Sequence, residues 1–237
     1  MIKAAIEKIL TLNENRIHEI NGEYYTEKEL ERIVPPVDRP KITEVSSLDS
    51  LVKLIQAECE KVTHPIFVRV SSHNQVDVFT SYRNDFSRDF LYRAGCDVNE
   101  FRFGWKDYES AMIAFRSQFK PTDGIEYLLG LLSRISDENS VTSEDNGVTQ
   151  TVEARKGIAL KAREQVKPRV PLCPFRTFLE VEQPESEFLV RMREGGEIGL
   201  FEADGGMWKL DAKKSIRQYF ETKLSELVEN GIVIVMV

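Results

Sequence analysis

Few residues in this chain have the types and spacing that chemistry requires. Its three histidines, His18, His64 and His73, fall in or beside expected hairpins and turns, without the partner spacing of a metal site or a nucleophile triad. Cys59, Cys96 and Cys173 are odd in number, far apart and never in a C-x-x-C pair. They predict neither a disulfide framework nor a zinc half-site, but reduced thiols in a cytoplasm. No G-x-x-x-x-G-K or G-x-G-x-x-G loop occurs, and Gly195-Gly196 and Gly205-Gly206 read as hairpin turns rather than phosphate cradles. Asp204 followed by Asp211-Ala212-Lys213 has the acid-and-lysine lettering of a metal-dependent nuclease. Asp211, however, sits at an expected helix start, where Asp serves as a cap, and D-x-K arises readily by chance in a chain with 30% charged residues. Glu180 and Glu182 share one parity of an expected strand opposite Leu179 and Val181, and with Glu185 and Glu187 they read as a solvated face. No catalytic residue, metal site or cofactor follows, and the chain is expected to be no enzyme.

Two groupings suit binding instead. Arg83, Arg88, Arg93 and Arg102 interleave with Phe86, Phe90, Tyr92 and Phe103, the mixture of cations and stacking rings found in single-stranded nucleic-acid binders. Asp85, Asp89, Asp97 and Glu100 match the four arginines one for one, so attraction to phosphate requires that folding segregate the acids. The alternative is an aromatic cluster bridged by ion pairs. The second grouping is Ile232, Val233, Ile234, Val235, Met236 and Val237, a run without charge or breaker. Such a strand left as an open edge invites aggregation, so it is expected either inside its own sheet or paired with another subunit.

The elements that position these groups follow from periodicity. Ile2, Ile6, Ile9 and Leu10 predict a short opening helix. A hairpin from Arg16 to Thr26 turns at Asn21-Gly22, and Thr26-Glu27-Lys28-Glu29 has the chemistry of a helix capping box. Pro35-Pro36 and Pro40 make residues 34–45 a linker, dividing the chain into an amino-terminal arm (1–45) and a main body (46–237).

In the body, Ser46 or Ser47 caps a helix with the stripe Leu48, Leu51, Val52, Ile55 and Cys59. Ile66–Val70 and Gln75–Thr80 follow as strands, residues 82–105 lose periodicity, and two helices flank Pro121. The last third reads as an antiparallel meander of Phe175–Glu182, Glu187–Arg193, Glu197–Ala203 and Met207–Leu210. A helix bearing Ala212, Ile216 and Phe220 and a terminal strand complete it. The fold class is α+β, antiparallel sheets with packed helices.

The bulk numbers agree. A chain of 237 residues with 41% hydrophobic content can bury a full core, and a formal charge of −7 gives no general attraction to polyanions or anionic lipid. The amino terminus interrupts its apolar residues with charges too early for a secretory signal, and no apolar run reaches the roughly 18 residues of a membrane span.

Three segments carry a resemblance. Asp145-Asn146-Gly147-Val148-Thr149-Gln150, Pro174-Phe175-Arg176-Thr177-Phe178-Leu179-Glu180-Val181 and Asp204-Gly205-Gly206-Met207-Trp208 resemble the YfdQ-like family of phages and prophages, over roughly residues 45 to 230. The resemblance implies a phage or prophage product in the bacterial cytoplasm and transfers no activity. The leading expectation is a self-associating homo-oligomer. Nucleic-acid binding in phage recombination or replication is the alternative, and a nuclease the remote one.

Overall fold

The computed structural model describes residues 17–26, 32–33, 38–135, 140–145, 150–156, 159–193 and 195–237. The expected opening helix lies outside them. The chain divides into two compact units, Met1–Arg39 and Pro40–Val237.

In the first unit, β1 (Ile17–Ile20) and β2 (Glu23–Thr26) form the expected hairpin. Asn21 and Gly22 have φ of 54° and 80°, the positive values this two-residue turn demands. The helix expected from Thr26 onward is corrected at both ends, because Thr26 closes β2 and Arg32–Ile33 (β3) pairs with β2. Residues 27–31 lie outside the description.

The second unit begins earlier than the expected boundary. Thr43–Val45 (β4), read from sequence as linker, pairs in parallel with Phe90–Gly95 (β7). It forms one edge of a five-stranded sheet whose order is β15 (Val233–Met236), β5 (Ile66–Ser72), β6 (Gln75–Thr80), β7, β4. β15 also joins in parallel, while β5, β6 and β7 are antiparallel. One face buries Val68, Val76, Val78 and Ala94 against α1 (Leu48–Glu58), α4 (Trp208–Lys223) and α5 (Ser225–Glu229), which contribute Leu51, Ile55, Ile216, Phe220 and Leu227. Ser47 caps α1 as expected, its Oγ accepting from the Ser50 amide at 3.2 Å.

A second core lies under α2 (Tyr108–Ser117) and α3 (Asp123–Ile135). They cover a four-stranded sheet in the order β12 (Arg169–Leu172), β13 (Ser186–Arg193), β14 (Glu197–Glu202), β8 (Gly104–Lys106). Beside it is a three-stranded sheet of β11 (Ala159–Val166), β10 (Gln150–Lys156) and β9 (Ser140–Asp145). The buried Gln150 side chain joins them: its Oε1 accepts from the Met192 amide at 2.7 Å and its Nε2 donates to the Met192 carbonyl. A side-chain amide thus supplies the paired donor and acceptor that a neighbouring strand would.

Two members of the expected meander are not strands. Phe175–Glu182 is an irregular strap whose backbone is satisfied by a side chain, the buried Gln183, through Arg176, Thr177 and Phe178. Met207–Leu210 enters α4, because the Asp204 carboxylate accepts from the Gly206 amide and turns the chain straight into the helix. β12 supplies the outer strand instead, pairing antiparallel with β13.

α3 approaches β12 closely enough that a Cβ on Gly124 would lie 2.2 Å from the Pro171 carbonyl oxygen. Gly124→Ala is therefore expected to destabilise the protein by about 1–3 kcal/mol. Gly130→Ala, whose Cβ meets only the flexible end of Arg134 at 3.4 Å, should be neutral or stabilising. Urea denaturation of the two variants checks this.

Candidate functional site

The terminal run lies at a sheet edge. Ile66 donates its amide to the Ile232 carbonyl at 2.8 Å, and Val233 to Met236 continue beside β5. Because backbone groups alternate along a strand, Ile232, Ile234 and Met236 turn theirs toward β5, and Val233 and Val235 turn theirs away. Among the described residues no strand pairs with that outer side. Val233 is buried in the helix-covered core, whereas Ile234, on the opposite face, is 39% exposed.

The aromatic and arginine segment does not form one surface. Tyr92 points into the helix-covered core and donates to Glu58 Oε2, and burial first, then this carboxylate, holds its phenol protonated far above the ordinary range. Arg102 is exposed, while Phe103 stacks on Phe188 at 5.4 Å, at the other core. Arg83 is held by both oxygens of Asp89 at 2.9 Å. The remaining members, Phe86, Arg88, Phe90 and Arg93, belong to the helix-free face of the five-stranded sheet and its adjoining loop.

Strand register orders that face into two rows. Ile234, Phe67, Phe79 and Phe90 are successive neighbours across β15, β5, β6 and β7, with ring centroids 5.5 Å and 5.4 Å apart along the phenylalanines. Met236, Arg69, Asp77, Arg93 and Glu44 form the next. The Arg88 guanidinium lies over Tyr82, Phe67 and Phe79 at 3.9, 4.9 and 5.2 Å, and donates to the Thr80 carbonyl. Phe86 stands at the loop tip with φ of 59° and 83% of its surface exposed.

The acid-and-lysine lettering divides between two environments. Asp204 accepts from Ser186 Oγ at 2.6 Å and from the Gly206 amide, whereas Asp211 lies in the exposed first turn of α4, bonded to Lys214 at 3.0 Å. Lys213 has no role in either arrangement. No cluster of three or more metal-ligating side chains occurs among the described residues. Glu180 is no strand residue, since its carboxylate accepts from the Leu48 amide at 2.8 Å and serves the amino terminus of α1. His73, expected at the surface, packs edge-on against Trp208 at 4.7 Å, and burial lowers its pKa against the pull of Glu100. His18 and His64 are exposed. All three thiols are free, and burial pushes that of Cys96 up to about 11.

Sequence reasoning missed a buried polar centre around Arg176, whose side chain is 3% exposed. Its guanidinium donates to Glu202 Oε1 at 2.7 Å, the Pro184 carbonyl at 3.1 Å and Ser186 Oγ, and lies 3.8 Å above the Trp208 ring. Burial pulls its pKa down to about 10, with Glu202 and Asp204 opposing, so it stays charged at neutral pH. The signal available was a lone charge between Phe175 and Thr177-Phe178.

Comparison of the chain with protein-family models, curated proteins and solved structures returns no match. No described helix is long and apolar enough to cross a membrane.

Asp77 offers a test of the charged row. Its burial raises the pKa, but hydrogen bonds from Ser71, Arg93, Arg69 and Gln75 outweigh burial and bring it to about 2. An unfolded Asp titrates near ~3.9. A depressed carboxylate contributes stability that is present above the unfolded value and lost as pH falls from about 4 through 2, here about 2 kcal/mol. Wild type minus Asp77→Asn, compared by urea denaturation across that window, should show the loss in wild type only.

Proposed function

We propose that this chain is a non-enzymatic, phage- or prophage-type protein that self-associates through its last strand. One observation carries the reading: the chemistry of β15 beside that of the other edge strands whose side chains are described. Those strands each hold a charged side chain, Glu19 in β1, Glu44 in β4, Lys106 in β8, Arg163 in β11 and Arg169 in β12. Edge charges discourage wrong pairing, and Pro171 adds to that protection in β12. β15 has neither charge nor proline.

A second copy suits this edge because β15 can pair with itself. In an antiparallel arrangement about a two-fold axis, the outward groups of Val233 and Val235 meet their equivalents, and no like charges face each other. The five-stranded sheet would continue into a partner sheet. The phage setting is supported by the YfdQ-like resemblance alone, and it assigns no reaction.

Multi-angle light scattering at micromolar concentration tests the proposal, with a dimer or larger closed assembly expected. Val235→Pro removes an outward-facing amide while leaving the bonds to β5, and Ile234→Lys places a charge beside its own copy; both should give folded monomers. A wild-type monomer, or assembly unaffected by both variants, overturns it.

A further inference from the structure

We infer that the helix-free face of the five-stranded sheet binds single-stranded nucleic acid, with bases on the rings around Phe90 and phosphates on Arg88 and Arg69. This site is separate from the β15 edge and does not rest on self-association.

The face departs from what a merely solvated sheet surface would carry. Along one row stand three phenylalanines on adjacent strands, packed ring to ring with centroids 5.5 Å and 5.4 Å apart. Phe79 is the buried floor, and Phe90 and Tyr82 present ring surface to solvent beside it. Every base has a planar face that stacks on such rings regardless of sequence. Arg88 is clamped among three rings and bonded to a backbone carbonyl, with no carboxylate paired to it among the described residues. A cation already oriented and stripped of part of its water loses little entropy on meeting a phosphate.

Charge on the neighbouring row points the same way. The Asp77 carboxylate is shared between Arg69 at 3.1 Å and Arg93 at 2.8 Å, so this trio retains one positive charge, and Arg88 adds another. Glu44, 3.9 Å from Arg93, and Asp85 in the loop lie at the rim. Arg69 and Arg88 thus lie over the rings, while Asp77 is itself buried between its two arginines and Glu44 and Asp85 stand at the rim, a local arrangement through which a polyanion can approach a chain of formal charge −7. Phe86 adds an independent sign. A bulky aromatic in left-handed backbone geometry is strained, and here the Phe86 amide on the Arg83 carbonyl at 3.0 Å and the Arg83 amide on the Ser87 carbonyl at 2.9 Å hold that geometry, with the ring out in water at the tip of the loop bordering the platform.

The test uses the full chain and a fluorescein-labelled oligothymidylate of about 12 nucleotides, long enough for one such platform. An oligouridylate distinguishes DNA from RNA, and the duplex form of the same DNA is the competitor. Fluorescence anisotropy at low salt should show binding that weakens as salt rises, with a log–log slope near ~−1.4 for two phosphate contacts. Duplex should compete poorly, because its bases are not free to stack. Phe90→Ala and Arg88→Ala should each weaken binding at least about fivefold. Phe86→Ala, which removes an exposed ring and leaves the fold intact, should weaken it as well. Arg217→Ala, on the distant surface of α4, should not. Absence of binding at low salt overturns the inference. Equal competition by duplex, or unchanged affinity in the Phe86 and Phe90 variants, reduces the face to general anion attraction and overturns it too.

Discussion

Burying a guanidinium is expensive unless it finds partners, and the second unit is organised around one that finds them at both terminal nitrogens, though not at Nε. Arg176 is enclosed by Glu202, the Pro184 carbonyl, Ser186 and the flat ring of Trp208. Asp204, bonded through Ser186, stands one step further out. Removing a partner from an enclosed charge costs far more than the pair contributes net, so the segments meeting here are held in one arrangement. Those segments are the ends of β13 and β14, the turn into α4, and the strap that carries Arg176.

The strap explains why the two cores behave as parts of one body. Phe175 donates its amide to the Gln118 carbonyl, and Lys120 donates to Cys173, anchoring the strap's start to the connection between α2 and α3. A few residues on, Thr177 Oγ donates to the His73 carbonyl in the β5–β6 turn, Phe178 is buried under the five-stranded sheet, and Glu180 caps α1. With α1, α4 and α5 packed on one side of that sheet, its other face and its β15 edge are left uncovered among the described residues. The proposed self-association and the proposed nucleic-acid platform therefore use surfaces that the packing leaves over, not surfaces that must be vacated.

What could be read in advance depended on how local each cause was. The Asn21-Gly22 turn, the Ser47 cap and the alternation of β5 and β6 were legible because neighbouring residues determine them. Phe175–Glu182 alternates like a strand, but the alternation reflects burial first in one core and then in another, with Gln183 standing in for a pairing strand. Residues 82–105 resisted assignment for a related reason: β7 and β8 belong to different sheets, so no single period spans them. The eight-residue aromatic and arginine grouping was likewise split, because adjacent residues such as Tyr92 and Arg93 face opposite sides of one strand. Phe67 and Phe79 were invisible as site residues, since only cross-strand register brings them beside Phe90. Arg176 depended on partners up to 32 positions away, as with Trp208 beneath it, and only its isolation among apolar neighbours hinted at burial.

Differential scanning calorimetry of Arg176→Ala addresses the organising role of the buried charge most directly. Wild type should unfold in one cooperative transition, its calorimetric and van't Hoff enthalpies agreeing over the second unit. Loss of the guanidinium should lower the midpoint by several degrees or more and separate the melting of the two cores into distinguishable steps. A variant that melts in one transition at the wild-type temperature would contradict the account.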